Sequence, residues 1–157
     1  MRLWRWRETL MYDLIVRAVR EQPWAILPSY LAIITDLLAM RAAGHKLTEE
    51  EIQARIGAAA RPASRASGAV AVIPVFGVIT QRANLMSAMS GGVSIELLSK
   101  SIREALNSPE VGSIVLDIDS PGGGVFGVQE LAEEIRAGRE QKPIVAVANS
   151  LAASAAY

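Results

Sequence analysis

Two segments of the sequence carry residues that could do chemistry. In Asp117-Ile118-Asp119-Ser120-Pro121-Gly122-Gly123-Gly124-Val125 an apolar run of strand length ends in a glycine-rich turn. Glycine adopts backbone conformations that other residues avoid, and it lets a second chain approach its amides closely. The segment suits either a tight strand-to-helix connection or a row of backbone donors facing a ligand. In Ala148-Asn149-Ser150-Leu151-Ala152-Ala153-Ser154-Ala155-Ala156-Tyr157 a serine stands among alanines directly after the apolar run Ile144 to Val147. A serine where a strand gives way to a helix can cap that helix. It can also act as a nucleophile whose adduct is held by backbone amides. No Gly-Lys-Ser or Gly-Lys-Thr follows the glycines, which excludes a triphosphate-binding loop.

Other ionisable residues read more simply. His45, the one histidine, sits between Gly44 and the Thr48-Glu49-Glu50-Glu51 segment and reads as a polar residue at a helix junction. Lys100 falls among polar positions of a helix and Lys142 precedes a strand, so both read as solvated. Asp117 and Asp119 alternate on one strand face beside a turn, a setting for turn hydrogen bonds rather than acid-base work. Trp4, Trp6 and Trp24 accompany early arginines, in a pattern open to interfacial anchoring, residual packing or partner contact.

The elements that must position these residues follow from periodicity. Residues 1–60 read as helical, with a helix starting near Pro28 and Ser29, ending at Gly44, and followed by another that opens on a capping box of Thr48 and Glu51. Residues 61–68 are small, polar and proline-bearing, which predicts a linker open to proteolysis at Arg61 or Arg65. Residues 69–157 alternate strands and helices. A strand over Ala69 to Thr80 carries Pro74, which suits an edge position or a bulge. Ser94 caps a helix ended by Asn107-Ser108-Pro109; Ser113 to Ile118 and Pro143 to Ala148 read as buried-type strands, with an amphipathic helix over Val125 to Arg139 between them. The pattern predicts an α/β layer architecture whose parallel-rich sheet brings the Gly122 to Gly124 turn to face Ser154.

Composition narrows the class of function. The 157 residues are 51% apolar and 20% charged, which is globular rather than disordered. Sixteen basic side chains balance sixteen acidic ones, which gives no electrostatic drive toward nucleic acid. The absence of cysteine excludes disulfides, thiol catalysis and thiolate metal sites. Pro28 and Asp36 interrupt the most apolar stretch, Ala25 to Met40, so no integral membrane segment and no cleaved leader are predicted. The chain stops at Tyr157 without a terminal glycine or cap, and reads as a fragment or a product cut short.

The order strand, Asp-Ser-Pro-Gly-Gly-Gly, amphipathic helix, Lys-Pro, strand, Ala-Ala-Ser-Ala-Ala-Tyr resembles the signal peptide peptidase A family of serine peptidases, in its phage and prophage capsid-protease branch. Leu47-Thr48-Glu49-Glu50-Glu51-Ile52 and Ile73-Pro74-Val75-Phe76-Gly77-Val78-Ile79 also resemble that branch, so the likeness covers about residues 45 to 157. The Clp protease subunit is similar in the same two motifs, and the resemblance implies the spiral ββα fold of the Clp and crotonase superfamily, incomplete here and preceded by the N-terminal helical region. It implies Ser154 as nucleophile, the amides of Gly123 and Ala155 as the oxyanion hole, and Gly122, Gly124, Val125 and Phe126 beside the substrate backbone, paired as in strand addition. It implies no metal or organic cofactor. The implied partners are a peptide or protein substrate, such as a capsid or scaffold protein, and further copies of the full-length chain in a homo-oligomer. The implied location is the bacterial host cytoplasm or the phage prohead.

The base is the departure from the family pattern. That family places a lysine well downstream of the serine and the Clp subunit a histidine, whereas three residues follow Ser154. The 157 residues alone are accordingly expected to be nearly inert, since a serine hydroxyl without a base is a poor nucleophile. Two other readings stand beside the serine endopeptidase. One is an acyl-CoA enzyme on the same fold, which needs no nucleophile at Ser154; the other is an inactive scaffold- or capsid-associated protein.

Overall fold

The computed structural model describes residues 15–17, 19–56, 65–67, 69–82 and 92–157. The protein is α/β. In chain order the strands are β1 (Trp24–Ile26), β2 (Arg65–Ser67), β3 (Val70–Phe76), β4 (Ile79–Thr80), β5 (Val93–Ser94), β6 (Ser113–Ser120), β7 (Gly122–Gly124) and β8 (Ile144–Ala152). The helices are α1 (Pro28–Ala42), α2 (Glu49–Ile56), α3 (Ile95–Asn107) and α4 (Val128–Gly138), and a 3₁₀ turn spans Ser154–Ala156.

The strands form two four-stranded sheets among the described residues, ordered β2-β3-β6-β8 and β1-β7-β4-β5. In the first, β3, β6 and β8 run parallel and β2 is antiparallel. Side chains alternate across this sheet with the strand period of two. Ala71, Ile73 and Val75 of β3 and Ile114, Leu116 and Ile118 of β6 point inward onto the buried stripe of α3, Ile95, Leu98, Ile102 and Ala105. Val128, Leu131 and Ile135 of α4 close this core from the side.

Local sequence accounts for most element boundaries. The Ser94 hydroxyl accepts from the Leu97 amide at 3.2 Å and starts α3. The Glu51 carboxylate accepts from the Thr48 amide at 2.8 Å while the Thr48 hydroxyl accepts from the Glu51 amide at 3.2 Å, the reciprocal capping box at the start of α2. Donation from the Thr48 amide, and from the Thr48 hydroxyl at 3.3 Å, holds the Glu51 carboxyl below its usual range. Pro74 lies in β3 opposite Asp117 of β6, beyond the part of β3 that pairs with β2. The strand is central by order, and among the described residues none pairs with it at the proline on the side of β2, where a missing N–H costs nothing.

Four expectations about the elements differ from the structure. Trp24–Ile26, inside the region read as wholly helical, is a strand; Pro23 and Pro28 exclude a continuous helix there. Arg65 to Ser67, read as linker, pair antiparallel with β3, whereas residues 57–64 and 68 lie outside the described residues, Arg61 among them. The glycine turn is itself a strand, β7, of the second sheet. The run Pro143 to Ala148 lies in a strand, yet Val145 and Val147 are exposed, because β8 is the outer strand of its sheet.

The N-terminal elements are joined to this body by β1, which pairs with β7, and by an apolar cluster of Val19, Ile26, Ile34 and Leu38 around the fully buried Val78. Between α3 and α4, Glu134 accepts from the Arg103 guanidinium and from the Ser99 hydroxyl at 2.6 Å. Burial pushes the Glu134 carboxyl up, but the hydrogen bonds from Arg103 and Ser99 and the guanidinium charge outweigh it and hold the group below its ordinary value. A carboxylate with a lowered folded-state pKa stabilises the fold above its unfolded value, and that stability is lost as pH falls through the lowered value. Glu134→Gln is therefore expected to cost about 0.5–1 kcal/mol near neutral pH, the pair being largely exposed on the arginine side. Urea midpoints of wild type and variant should converge on acidification below the carboxylate range; a constant gap would refute the assignment.

Candidate active site

The site is built at the corner where β6 leaves the first sheet and β7 enters the second, one residue apart at Pro121. Ser120 holds that corner. It is fully buried; its hydroxyl donates to the Gly77 carbonyl at 2.6 Å and accepts from the Gly122 amide at 3.2 Å, and its carbonyl accepts from the Ala153 amide at 3.1 Å. One serine thus ties the β3–β4 connection, the glycine strand and the segment leading into Ser154. In the sequence Ser120 is one residue of the Asp-Ser-Pro-Gly-Gly-Gly motif, and its own signal is a small polar residue in the inward register of an apolar strand.

Ser154 follows Ala153 at the end of β8 and begins the 3₁₀ turn, exposed to solvent. Its φ is +54°, and it is the one non-glycine residue with positive φ among the described residues. For a residue with a Cβ this region costs roughly 1–2 kcal/mol, so the surrounding structure imposes it. A sharp strand-to-turn junction of this kind presents the hydroxyl away from its own backbone.

The glycine strand lies directly against this turn. Gly122 has φ +99°, and a Cβ there would lie 3.0 Å from the Ala153 carbonyl oxygen and 3.1 Å from the Ala155 nitrogen, besides overlapping the Ala25 carbonyl oxygen. A Cβ on Gly123 would overlap the carbonyl oxygen of Ile79 in β4. Gly122, Gly123 and Gly124 are all buried, whereas Val125 and Phe126 just beyond them are exposed. The structure therefore brings Gly122, Ala153 and Ala155 together. Along Gly122–Gly124 the outer edge is filled by β1, in the register Trp24 with Gly124, Ala25 with Gly123 and Ile26 with Gly122. Beneath Ala155 to Tyr157 lies an apolar cavity of about 130 Å³ walled by Ile79, Ile118, Val128 and Leu131.

The remaining candidates have places of their own. Asp117 accepts a hydrogen bond from Asn149 across the β6–β8 pair. Lys142, read as solvated, is half-buried and donates to the carbonyls of Ala105 at 2.8 Å and Ser108 at 2.6 Å, capping the C-terminal end of α3. Lys100 is exposed beside Glu104 in α3. His45 is exposed just after α1. The Trp24 indole N–H donates to the Val19 carbonyl at 2.7 Å, and Trp4 and Trp6 lie outside the described residues. Among the described residues no helix is long and apolar enough to cross a membrane.

No family model matches the chain. Among curated proteins it is similar to the head-tail preconnector protein GP5 of Enterobacteria phage P21, with 29% identity over 90% of the chain and 31% of that protein. It is similar also to the capsid assembly protease C of Escherichia phage lambda, with 35% identity over 55% of the chain and 20% of that protein. The chloroplastic serine protease SPPA of Arabidopsis thaliana is 30% identical over 56% of the chain and 13% of its own length. The chain spans less than a third of the length of each of these relatives. Its homologues are thus a phage head-tail preconnector, a phage capsid assembly protease and a SPPA serine protease, a set consistent with the phage capsid-protease branch of the signal peptide peptidase A family.

Proposed function

We propose that this chain carries the nucleophile half of a serine endopeptidase that processes capsid or scaffold protein during phage head maturation. The observation that carries the reading is the placement of Ser154: exposed, held at φ +54°, with Gly122 packed against the Ala155 amide beside it. The names of the phage P21 and phage lambda relatives support the setting, and those of the lambda and Arabidopsis relatives support the chemistry.

In this mechanism the Ser154 oxygen attacks the carbonyl carbon of the scissile peptide and its proton passes to a lysine supplied from outside these residues. A lysine held neutral by burial is basic enough to accept it near neutral pH. The carbonyl π electrons move onto oxygen, and the Gly123 and Ala155 amides donate to that oxyanion. Collapse expels the amine, which takes the proton from the lysine, and leaves an ester on Ser154 that water hydrolyses by the same route. His45 and its exposed neighbour Lys46, Lys100 and Lys142 belong to helix ends and surfaces of the fold and take no part. The protein acts as a homo-oligomer within the prohead, residues 69–157 forming the first part of the peptidase domain and Trp24–Ile26 adding a strand to it.

The test is covalent labelling with a fluorophosphonate, in a longer protein that includes the downstream lysine. The adduct should map to Ser154 and vanish in Ser154→Ala. An adduct on another serine, or none in a folded protein that still hydrolyses peptide, would remove the assignment.

A further inference from the structure

The strand that fills the outer edge of β7 does so as an extended peptide would. The Leu27 amide donates to the Pro121 carbonyl at 2.9 Å and the Val125 amide to the Pro23 carbonyl at 3.2 Å. In an antiparallel pair, directly hydrogen-bonded residues recur every second position. Ala25 and Gly123, paired midway between those two bonds, are therefore a bonded pair, and the Gly123 N–H is directed at the Ala25 carbonyl. That same carbonyl oxygen abuts the Gly122 position against which the Ala155 amide also packs. The acceptor of the Gly123 amide is thus already present, and it comes from the chain itself.

The segment is suited to leaving. Pro23 and Pro28 bound it and have no N–H, so its amides toward β7 are those of Ala25 and Leu27 alone. Its other anchors are the Trp24 indole bond to Val19 and the side chains of Trp24 and Ile26 in the Val78 cluster.

We propose that β1 is a resident occupant of the peptide-binding edge. An extended substrate segment enters by strand exchange, displacing Trp24–Ile26 from Gly122–Gly124 so that its own carbonyl takes the place of the Ala25 carbonyl at the Gly123 amide. This rests on the reading of Ser154 as the nucleophile, and it adds a control: the site is closed until β1 is released. The ligand class is an unfolded, extended peptide, since main-chain pairing supplies the recognition.

The experiment uses the absence of native cysteine. Trp24 and Gly124 face each other as a non-hydrogen-bonded pair, whose Cα separation of about 4.5 Å suits a disulfide. In a Trp24→Cys/Gly124→Cys/Ser154→Ala protein, oxidation locks β1 in place and reduction frees it. A fluorescein-labelled synthetic peptide copying residues 21–28 is the probe, read by anisotropy. The reduced form is expected to bind it at least tenfold more tightly than the oxidised form, and Ala25→Pro, which removes a β1 donor, to bind it about tenfold more tightly than wild type. Equal binding by all forms, or binding by none, overturns the proposal. Amide exchange in the unmodified chain is a check free of folding artefacts: Ala25 and Gly123 should exchange faster than Ile114 to Ile118, and equal protection counts against release of β1. If the lock controls peptide binding but the fluorophosphonate never labels Ser154, the exchange edge stands and the nucleophile falls. If, in a longer protein that keeps Ser154, the residue labels and the oxidised and reduced Trp24→Cys/Gly124→Cys forms hydrolyse peptide equally, the reverse holds.

Discussion

Ser154→Ala, in a longer protein that supplies the lysine, is expected to lower peptide hydrolysis by about 10⁴-fold or more while leaving the fold intact. The size of the loss follows from the mechanism. Without a nucleophile there is no acyl-enzyme, and the Gly123 and Ala155 amides can only polarise a carbonyl awaiting a water that nothing positions. Ser154→Gly should lose as much activity yet unfold at higher denaturant, by up to about 1 kcal/mol, because glycine relieves the left-handed backbone at this position. Rates and urea midpoints on the same three proteins decide the matter. An alanine variant as active as its parent would end the assignment and move the acyl-CoA and scaffold readings forward; a glycine variant less stable than the alanine one would show that the positive φ carries no strain.

Gly123→Ala is expected to be the most damaging single methyl group in the described structure, costing about 3 kcal/mol or more. Its Cβ would lie 2.6 Å from the Ile79 carbonyl carbon and 2.7 Å from the Ile79 nitrogen, so backbone rather than a flexible side chain stands in the way. Either β4 separates from β7 or the glycine strand swings out. Gly124→Ala makes the control, because the nearest atom to its Cβ is the Gln22 Nε2 at 3.9 Å and the change should cost under about 1 kcal/mol. Circular dichroism melts of the two variants should separate widely. If both melt with wild type, the close approach of β4 to β7 is wrong, and the position of the Gly123 amide with it.

The legible parts of the fold were those whose signal is local. The stripe of α3 with its Ser94 cap, the Thr48–Glu51 box and the apolar run of β6 each follow from side-chain period, apolar run length or cap chemistry within one segment. What escaped depends on distant pairing. Four residues between two prolines carry no period, so β1 could not be seen without β7 beside it. Three glycines have no side chains to alternate, and β7 is a strand because Ile79 and Ala25 lie on either side of it. Lys142 looked solvated because its partners, the carbonyls of Ala105 and Ser108, are main-chain atoms of another element. For the site, the two motifs could be placed at strand ends, but the knot that joins them, Ser120, shows itself only once Gly77, Gly122 and Ala153 converge on it.

The corner at Pro121 also bears on how the molecule comes together in time. The β3-β6-β8 sheet draws on a stretch of chain from Val70 to Ala152, whereas β7 is completed only when β1, from close to the opposite end of the sequence, closes on it. Closing the longest loop in a chain costs the most configurational freedom and comes after shorter closures have been made. The core can therefore be assembled while its glycine strand still lacks one neighbour. During that interval the Gly123 amide has no acceptor and the edge is open to whatever extended segment is nearest, another newly made copy included. A short strand carried in the same polypeptide reaches that edge at a local concentration no separate molecule matches, which would protect the nascent protein from pairing with its own kind.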